Sequence, residues 1–403
     1  MTSTATGGSR RSRSPAKSIA DLSYARVEMR SLQSISPPDL QQLSSLGMAF
    51  QDIVAASWGH KVVPEAVRDD LSAGSISDAL WDANVADAYH LPDEAARAEL
   101  AQVRDIVQSA IECHIESQSV AAWNTLVHYP ILSLALGGHA VQPWVSARSS
   151  CRHRPEQLRI HSRVSTSASI IPALVPRNSV TGEAVTGSIV DFNIAIQPTP
   201  SHEADIRVIL GGQPGMAMRS VNQTMYPPLQ FRLVAIAVET KTELAPETGE
   251  GQLAVWTSAW LRRRLPLSAS ASAVLSAPPP VPLGAPCTKT TFSLSAPLTH
   301  RRALVVPHRR LSEIRNGSGL KTATTLPAAS SRYAGIPAAS AEDVEPKLVI
   351  FTDHLIGDTR SALGVYEIPS ALRHLATWAD GPFREWHENV MATAVSAHQQ
   401  PFT

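Results

Sequence analysis

An acid and a base two residues apart, Glu239 and Lys241, end the apolar stretch FRLVAIAVETK at 231–241. Leu233, Val234, Ile236 and Val238 give it the partly β-branched bulk of a strand covered on both faces. Strand side chains alternate, so residues i and i+2 share a face. A carboxylate and an ammonium at the end of a buried strand are costly unless paired, bound to a metal or solvated in a cleft. The plain reading is a strand-end ion pair facing water, and a bare Glu-x-Lys arises about once by chance in a chain of this size. A second copy, Glu345-Pro346-Lys347, precedes its strand and carries a proline, so it serves as a negative control.

A second acid stands on another strand-like stretch, SIVDFNIAIQ at 188–197. Val190, Phe192, Ile194 and Ile196 line one face, and Asp191, Asn193 and Ala195 line the other. If the two strands are neighbours in one sheet, Asp191 comes beside Glu239. Two carboxylates that close repel, and a divalent cation relieves the repulsion. Mg²⁺ prefers oxygen ligands and keeps several waters, so two carboxylates plus a substrate phosphate make a reasonable site. Such an ion lowers the pKa of a bound water and stabilises charge on phosphate. Lys241 would orient that water or offset the developing negative charge. Gln252, one turn into the next helix, would hydrogen-bond the water or Lys241. The bland alternative is a buried structural ion cluster.

Around these strands the sequence alternates between helical and extended patterns. Residues 1–40 are small, polar and basic and read as a disordered tail. Within it Arg10, Arg11, Arg13 and Lys17 read as a solvated run or as a nuclear import signal. Pro37-Pro38 before Asp39 suggests a helix start. Residues 48–90 read as short helices and loops. A helix is expected over 92–117, capped by Asp93, with Leu100, Val103, Val107 and Ile111 as its apolar stripe. Another is expected over 118–136, kinked at Pro130 and ended by Gly137-Gly138. Residues 140–147 and 157–164 are modest strand candidates, and Pro172 marks 170–175 as an edge or loop entry. Residues 199–229 hold Gly211-Gly212, Pro214-Gly215 and Pro227-Pro228 and read mainly as a long loop. A helix follows over 247–264, with Gln252, Trp256 and Trp260 on one face. Arg262, Arg263 and Arg264 sit at its C-terminal end, where cations are favoured anyway; phosphate contact is the sharper reading. Trp123, Trp256 and Trp260 read as core, and His128 as a satisfied, half-buried histidine. Residues 266–342 are rich in Ser, Ala, Pro and Arg and read as low-complexity, with a strand hinted only at 303–306. KLVIFT at 347–352 is a short buried strand, and helices over 370–378 and 383–395 end the chain.

Composition narrows the classes. The 403 residues suffice for one large domain or two average ones. Thirty-five basic and 35 acidic residues cancel, so bulk charge does not announce a nucleic-acid binder. The hydrophobic fraction of 43% and charged fraction of 17% suit a globular core. Three scattered cysteines, Cys113, Cys151 and Cys287, argue against a disulfide framework and fit a reducing, intracellular compartment. Cys113-His114 and Cys151-x-His153 match no standard zinc spacing. No run approaches a membrane span and the N-terminus lacks a secretory apolar segment.

The order acid, Glu-x-Lys, helix resembles the PD-(D/E)XK nuclease superfamily, and more closely the PD-(D/E)XK nuclease-like domain of fungal proteins. The likeness is carried by AAWNTLVHYPILSLAL at 121–136, SIVDFNIAIQP at 188–198, SVNQTMYPPL at 220–229, AIAVETK at 235–241, GQLAVWTSAWLRRRL at 251–265 and IGDTRSALGVYEIPSALRHLATW at 356–378. It implies an α/β fold: a restriction-endonuclease-like core with a mixed central sheet flanked by helices and additional N- and C-terminal helices. The core would occupy 41–265 and 343–398, with 266–342 a low-complexity insertion or the product of a faulty gene assignment. It further implies Mg²⁺ or Mn²⁺ at Asp191 and Glu239, water activation by Lys241, support from Gln252, and a nucleic-acid substrate, DNA by expectation. Many members carry a glutamate just before the AAWN stretch; here that position is Val120, so the supporting acid is either Glu116, one turn earlier, or none. A catalytically inactive binding or structural module on the same fold is the alternative.

Overall fold

The computed structural model describes residues 22, 24–25, 27–31, 48–71, 85–86, 91–136, 160–185, 189–213, 215, 218–241, 246–269, 283–288, 291–300 and 347–399. The basic tail through residue 21, the helix start at 37–43, Gly137-Gly138, the candidate strands at 140–147 and 303–306, and Cys151 with His153 lie outside them.

The strands are β1 (Val27–Ser31), β2 (Val63–Pro64), β3 (Val85–Ala86), β4 (Ile160–Val164), β5 (Phe192–Ile196), β6 (Leu233–Lys241), β7 (Leu283–Thr288), β8 (Thr291–His300) and β9 (Lys347–Asp358). The main helices are α1 (Met48–Ser57), α2 (Asp93–Ile115), α3 (Val120–Trp123), α4 (Tyr129–Leu136), α5 (Pro200–Gly211), α6 (Pro246–Ala269), α7 (Ala362–Trp378) and α8 (Arg384–Gln399). Seven strands form one mixed sheet in the order β1-β9-β8-β7-β6-β5-β4, and β2 pairs with β3 separately. β6 runs parallel to β7 and antiparallel to β5, while β8 is antiparallel to both β7 and β9. The C-terminal ends of β6, β7 and β9 therefore share one sheet edge with the start of β5. This edge carries both Asp191 and Glu239.

The centre of the sheet follows from composition. Leu233, Val234, Ala235, Ile236, Ala237 and Val238 are all buried, as a continuous apolar run demands. β5 departs from the alternation expected of it: Asn193 and Ala195 are as buried as Phe192 and Ile194. With β4 on one side and β6 on the other, β5 is a covered central strand rather than a half-exposed one. The Asn193 amide nitrogen donates to Ser165 Oγ at 2.7 Å, while its Oδ1 is buried without a hydrogen-bond partner.

Several local expectations are corrected. Residues expected as a long loop contain α5, because Thr199 caps the N–H of His202 and Pro200 occupies the first turn, where its missing N–H costs nothing. Asp93 is the first helical residue of α2, not its cap; Pro92 stands at the cap without a side-chain bond. Pro130 is accommodated by a π turn over Asn124–His128, which widens the helix where the proline ring would crowd the carbonyl four residues back. Pro382 sits in the same device, Ala379–Phe383, between α7 and α8. The stretch read as low-complexity holds β7 and β8; small residues and prolines masked their strand pattern. β9 and α7 extend beyond their expected bounds.

The motif SVNQTMYPPL anchors the start of β6. Ser220, Asn222, Gln223 and Thr224 are fully buried. Asn222 accepts from the Val234 N–H at 3.1 Å and donates to the Leu229 carbonyl at 2.6 Å. α6 packs on β6 and β7, and α7 packs on α1, α4 and β9. α7 approaches β9 closely enough that a Cβ on Gly364 would lie 2.5 Å from the Asp358 carbonyl oxygen. Among the described residues no helix is long and apolar enough to cross a membrane.

Candidate active site

Asp191 enters β5 under restraint from three directions. On one side Ser165, just past β4, donates its N–H to the Asp191 carbonyl at 2.8 Å and its hydroxyl to the Val190 carbonyl at 2.8 Å. On the other, Thr240 of β6 donates both its N–H, at 2.9 Å, and its hydroxyl, at 2.5 Å, to Asp191 Oδ2. From the helix that follows, the Gln252 amide reaches the Ile189 carbonyl at 3.5 Å, a long contact that steadies the approach to Asp191. Ser165 and Thr240 are buried, at 0% and 1% exposure. Hydrogen bonds to a carboxylate in such surroundings are the stronger kind.

Glu239 and Lys241 flank Thr240 in β6. The last ladder pair is Phe192 with Val238, and the antiparallel register carries Asp191 to the level of Glu239 one step further. Glu239 is 2% exposed. Asp191 is half-buried, and its Oδ1 takes no part in the bonds to Thr240. The side chain of Lys241 lies outside the described residues. A carboxylate with one oxygen tied down and the other free, at the level of a buried glutamate, is a donor set suited to a hard divalent cation. Among the described residues no group of three or more His, Cys, Asp and Glu side chains is arranged to hold a metal. An ion here would rest on two carboxylates, water and substrate. Sequence reasoning missed Thr240, Ser165 and Asn193. The x of Glu-x-Lys carries no pattern signal, and Ser165 lies 26 residues from Asp191 in sequence.

Other expected contributors fall differently. Arg263 is 0% exposed and donates to the Ser220 carbonyl and the Met218 carbonyl, each at 2.7 Å. Arg264 is 1% exposed with its guanidinium 5.0 Å from the Trp260 ring centre. Neither is a surface phosphate contact: α6 packs them inward. Burial lowers the Arg263 pKa to about 10, and burial, with repulsion from Arg263, also holds that of Arg264 well below its ordinary value. Arg262 is half-buried. Glu116 is the exposed C-cap of α2 and accepts from Gln118 at 2.7 Å. The buried acid of that helix is Glu99, paired with Arg373 of α7 at 3.0 Å. Trp123, Trp256 and Trp260 are core, and His128 is fully buried against Asn124 at 2.9 Å. Cys113 is buried.

Comparison with known proteins agrees with this arrangement at the level of family. A family model described as the PD-(D/E)XK nuclease superfamily matches residues 66–384, which include every residue of the candidate site. No curated protein and no solved structure matches the chain.

Proposed function

The chain belongs to the PD-(D/E)XK nuclease superfamily, and from that membership we propose that it is a metal-dependent phosphodiesterase that hydrolyses nucleic acid, DNA by preference, on a restriction-endonuclease-like core. The observation that carries the reading is the meeting of Asp191 with the Glu239-Thr240-Lys241 end of β6. Members of this superfamily generally use divalent metals, and Asp191 Oδ1 and Glu239 would hold Mg²⁺ or Mn²⁺ here. The bound ion would supply Lewis-acid stabilisation of phosphate and a more acidic water.

The chain's own groups do the positioning. Thr240 holds Asp191 Oδ2 through its N–H and its hydroxyl, and Oδ1 stays out of those bonds. Gln252 steadies the peptide that leads into it. Lys241 activates the attacking water and balances the charge that builds on the phosphate oxygens. Arg262 contributes electrostatic contact with the nucleic-acid backbone. We place the protein inside the cell, in keeping with such a substrate.

The decisive assay uses purified full-length protein with plasmid and single-stranded substrates in Mg²⁺ or Mn²⁺. Cleavage is expected, abolished by EDTA and by Lys241→Ala, while salt-dependent binding survives the substitution. Binding without cleavage in the unaltered protein would favour an inactive nucleic-acid module. Neither binding nor cleavage would reject both.

A further inference from the structure

The candidate site lies at one end of a sheet face whose margin is basic. β4 is the marginal strand of the described seven-stranded sheet, beside β5. Its register sets Arg163 opposite Asn193 and His161 opposite Ala195, and Ser165 bonds back to the Asp191 carbonyl at 2.8 Å. Strand side chains alternate, so His161, Arg163 and Ser165 share a face with Ala195, Asn193 and Asp191. Gln197, two residues beyond Ala195, extends that face. Its Oε1 accepts from Arg232 Nε at 2.5 Å, and Arg232 Nη1 donates to the Pro228 carbonyl at 2.7 Å. Arg163, His161 and Arg232 therefore follow one another down the sheet from Asp191. Leu229 and Tyr226 pack over Ala195 and Val234, whereas His161 at the margin is exposed and Arg163 and Arg232 are half-buried.

Among the described residues neither arginine has a carboxylate partner. Arg163 makes one long bond, from Nη1 to the Ser162 carbonyl at 3.4 Å, and Arg232 holds only a glutamine and a carbonyl. Desolvation, then the charges of Arg163 and Arg232, keep His161 below its ordinary pKa, so it is neutral near neutral pH. Charged side chains on a marginal strand also deter pairing with another chain. Either sign serves that purpose, yet all three groups here are basic. Two residues along a strand advance about 6.7 Å, close to the step between successive phosphates of a nucleic-acid backbone. We propose that this stripe carries the substrate strand to the candidate site: Arg163 contacts the phosphate next to the one attacked, and His161 and Arg232 contact those that follow. Arg163 and Arg232 supply charge, and neutral His161 supplies a hydrogen bond. The proposal rests on the nuclease reading and adds to it the direction in which the strand leaves the site.

The test is fluorescence anisotropy of the full-length protein with labelled single-stranded and duplex DNA in EDTA, between about 50 and 200 mM salt. Arg163→Gln should weaken binding about tenfold at the lower salt and flatten the log–log salt slope by about one. Arg163→Lys keeps the charge and should keep the slope. His161→Gln should weaken binding at an unchanged slope. Mn²⁺ affinity should not fall in Arg163→Gln, because the arginine holds the strand and not the ion. Unchanged DNA affinity and slope in Arg163→Gln would overturn the proposal. So would a loss of Mn²⁺ binding in that variant, which would make Arg163 a prop for Asp191. If Arg163→Gln does not fold, phenylglyoxal labelling of the unaltered chain decides: DNA should shield Arg163, and equal labelling with and without DNA would overturn the stripe. An unaltered protein that binds no DNA removes the nuclease reading and the stripe together. DNA binding and cleavage at the unaltered level in Arg163→Gln remove the stripe alone.

Discussion

Replacing Thr240 by valine removes one atom's worth of chemistry from the candidate site and almost no volume. Thr240 is 1% exposed, so the methyl that replaces its hydroxyl lands in a packed setting against the Asp191 carboxylate. The lost interaction is the hydroxyl bond to Asp191 Oδ2; the backbone N–H bond of residue 240, at 2.9 Å, stays. A hydrogen bond to a charged group contributes about 1.5–3 kcal/mol, and half-burial of Asp191 places this one near ~1.5 kcal/mol. Two effects are expected. Stability falls by about 1–2 kcal/mol, read from urea midpoints at constant slope. The Asp191 carboxylate gains freedom to turn, and ~1.5 kcal/mol of lost orientation lowers kcat/KM about tenfold. Thr240→Ser restores the hydroxyl and should fall within about twofold of the unaltered protein, by the same arithmetic. Cleavage with Mg²⁺ and Mn²⁺ affinity are measured on all three. Unchanged rate and unchanged Mn²⁺ affinity in Thr240→Val would show that this bond does not position Asp191.

Two further perturbations probe the neighbouring edge of the sheet. Gly364→Ala places a methyl against the Asp358 carbonyl at 2.5 Å, backbone that cannot step aside, so a loss of at least about 1–3 kcal/mol is expected from overpacking; a melting temperature within a degree of the original would refute the close contact. Burial, and secondarily the charge of Asp358, raises Glu367 from 4.5 to about 7. The folded state thus holds a proton that the unfolded state has released between those values, so stability falls as pH rises from about 4.5 to about 7 and levels off above. Glu367→Gln should flatten that slope in denaturation midpoints taken from pH 5 to 8; an unaltered slope would remove Glu367 from the account.

The sequence made the two central strands legible for a simple reason. LVAIAV in β6 and FNIAI in β5 are too apolar to lie anywhere but inside, and each adjoins a carboxylate. Asp191 and Glu239 could be named because acids at the ends of buried strands are expensive and therefore conspicuous; Lys241 followed from its i+2 spacing to Glu239, and Gln252 rested on the family resemblance. Thr240 and Ser165 could not, since an uncharged hydroxyl is at home anywhere and its partner is set by register. The three arginines of α6 looked alike in sequence, yet the helical turn of about 100° per residue sends Arg263 and Arg264 inward. β7 and β8 escaped notice because alanine, serine and proline carry little strand propensity, so sheet pairing rather than local preference defines them. α5 was hidden by the glycines and prolines after it, although Thr199-Pro200 is a helix-start signal in plain view.

The central claim is that two carboxylates from separate strands share one divalent cation. Calorimetric titration of Mn²⁺ into the full-length protein tests it without reference to substrate or turnover. The account expects saturable binding that is lost, or weakened at least tenfold, in both Asp191→Asn and Glu239→Gln. Failure of the unaltered protein to bind Mn²⁺, or equal binding by either variant, would contradict it.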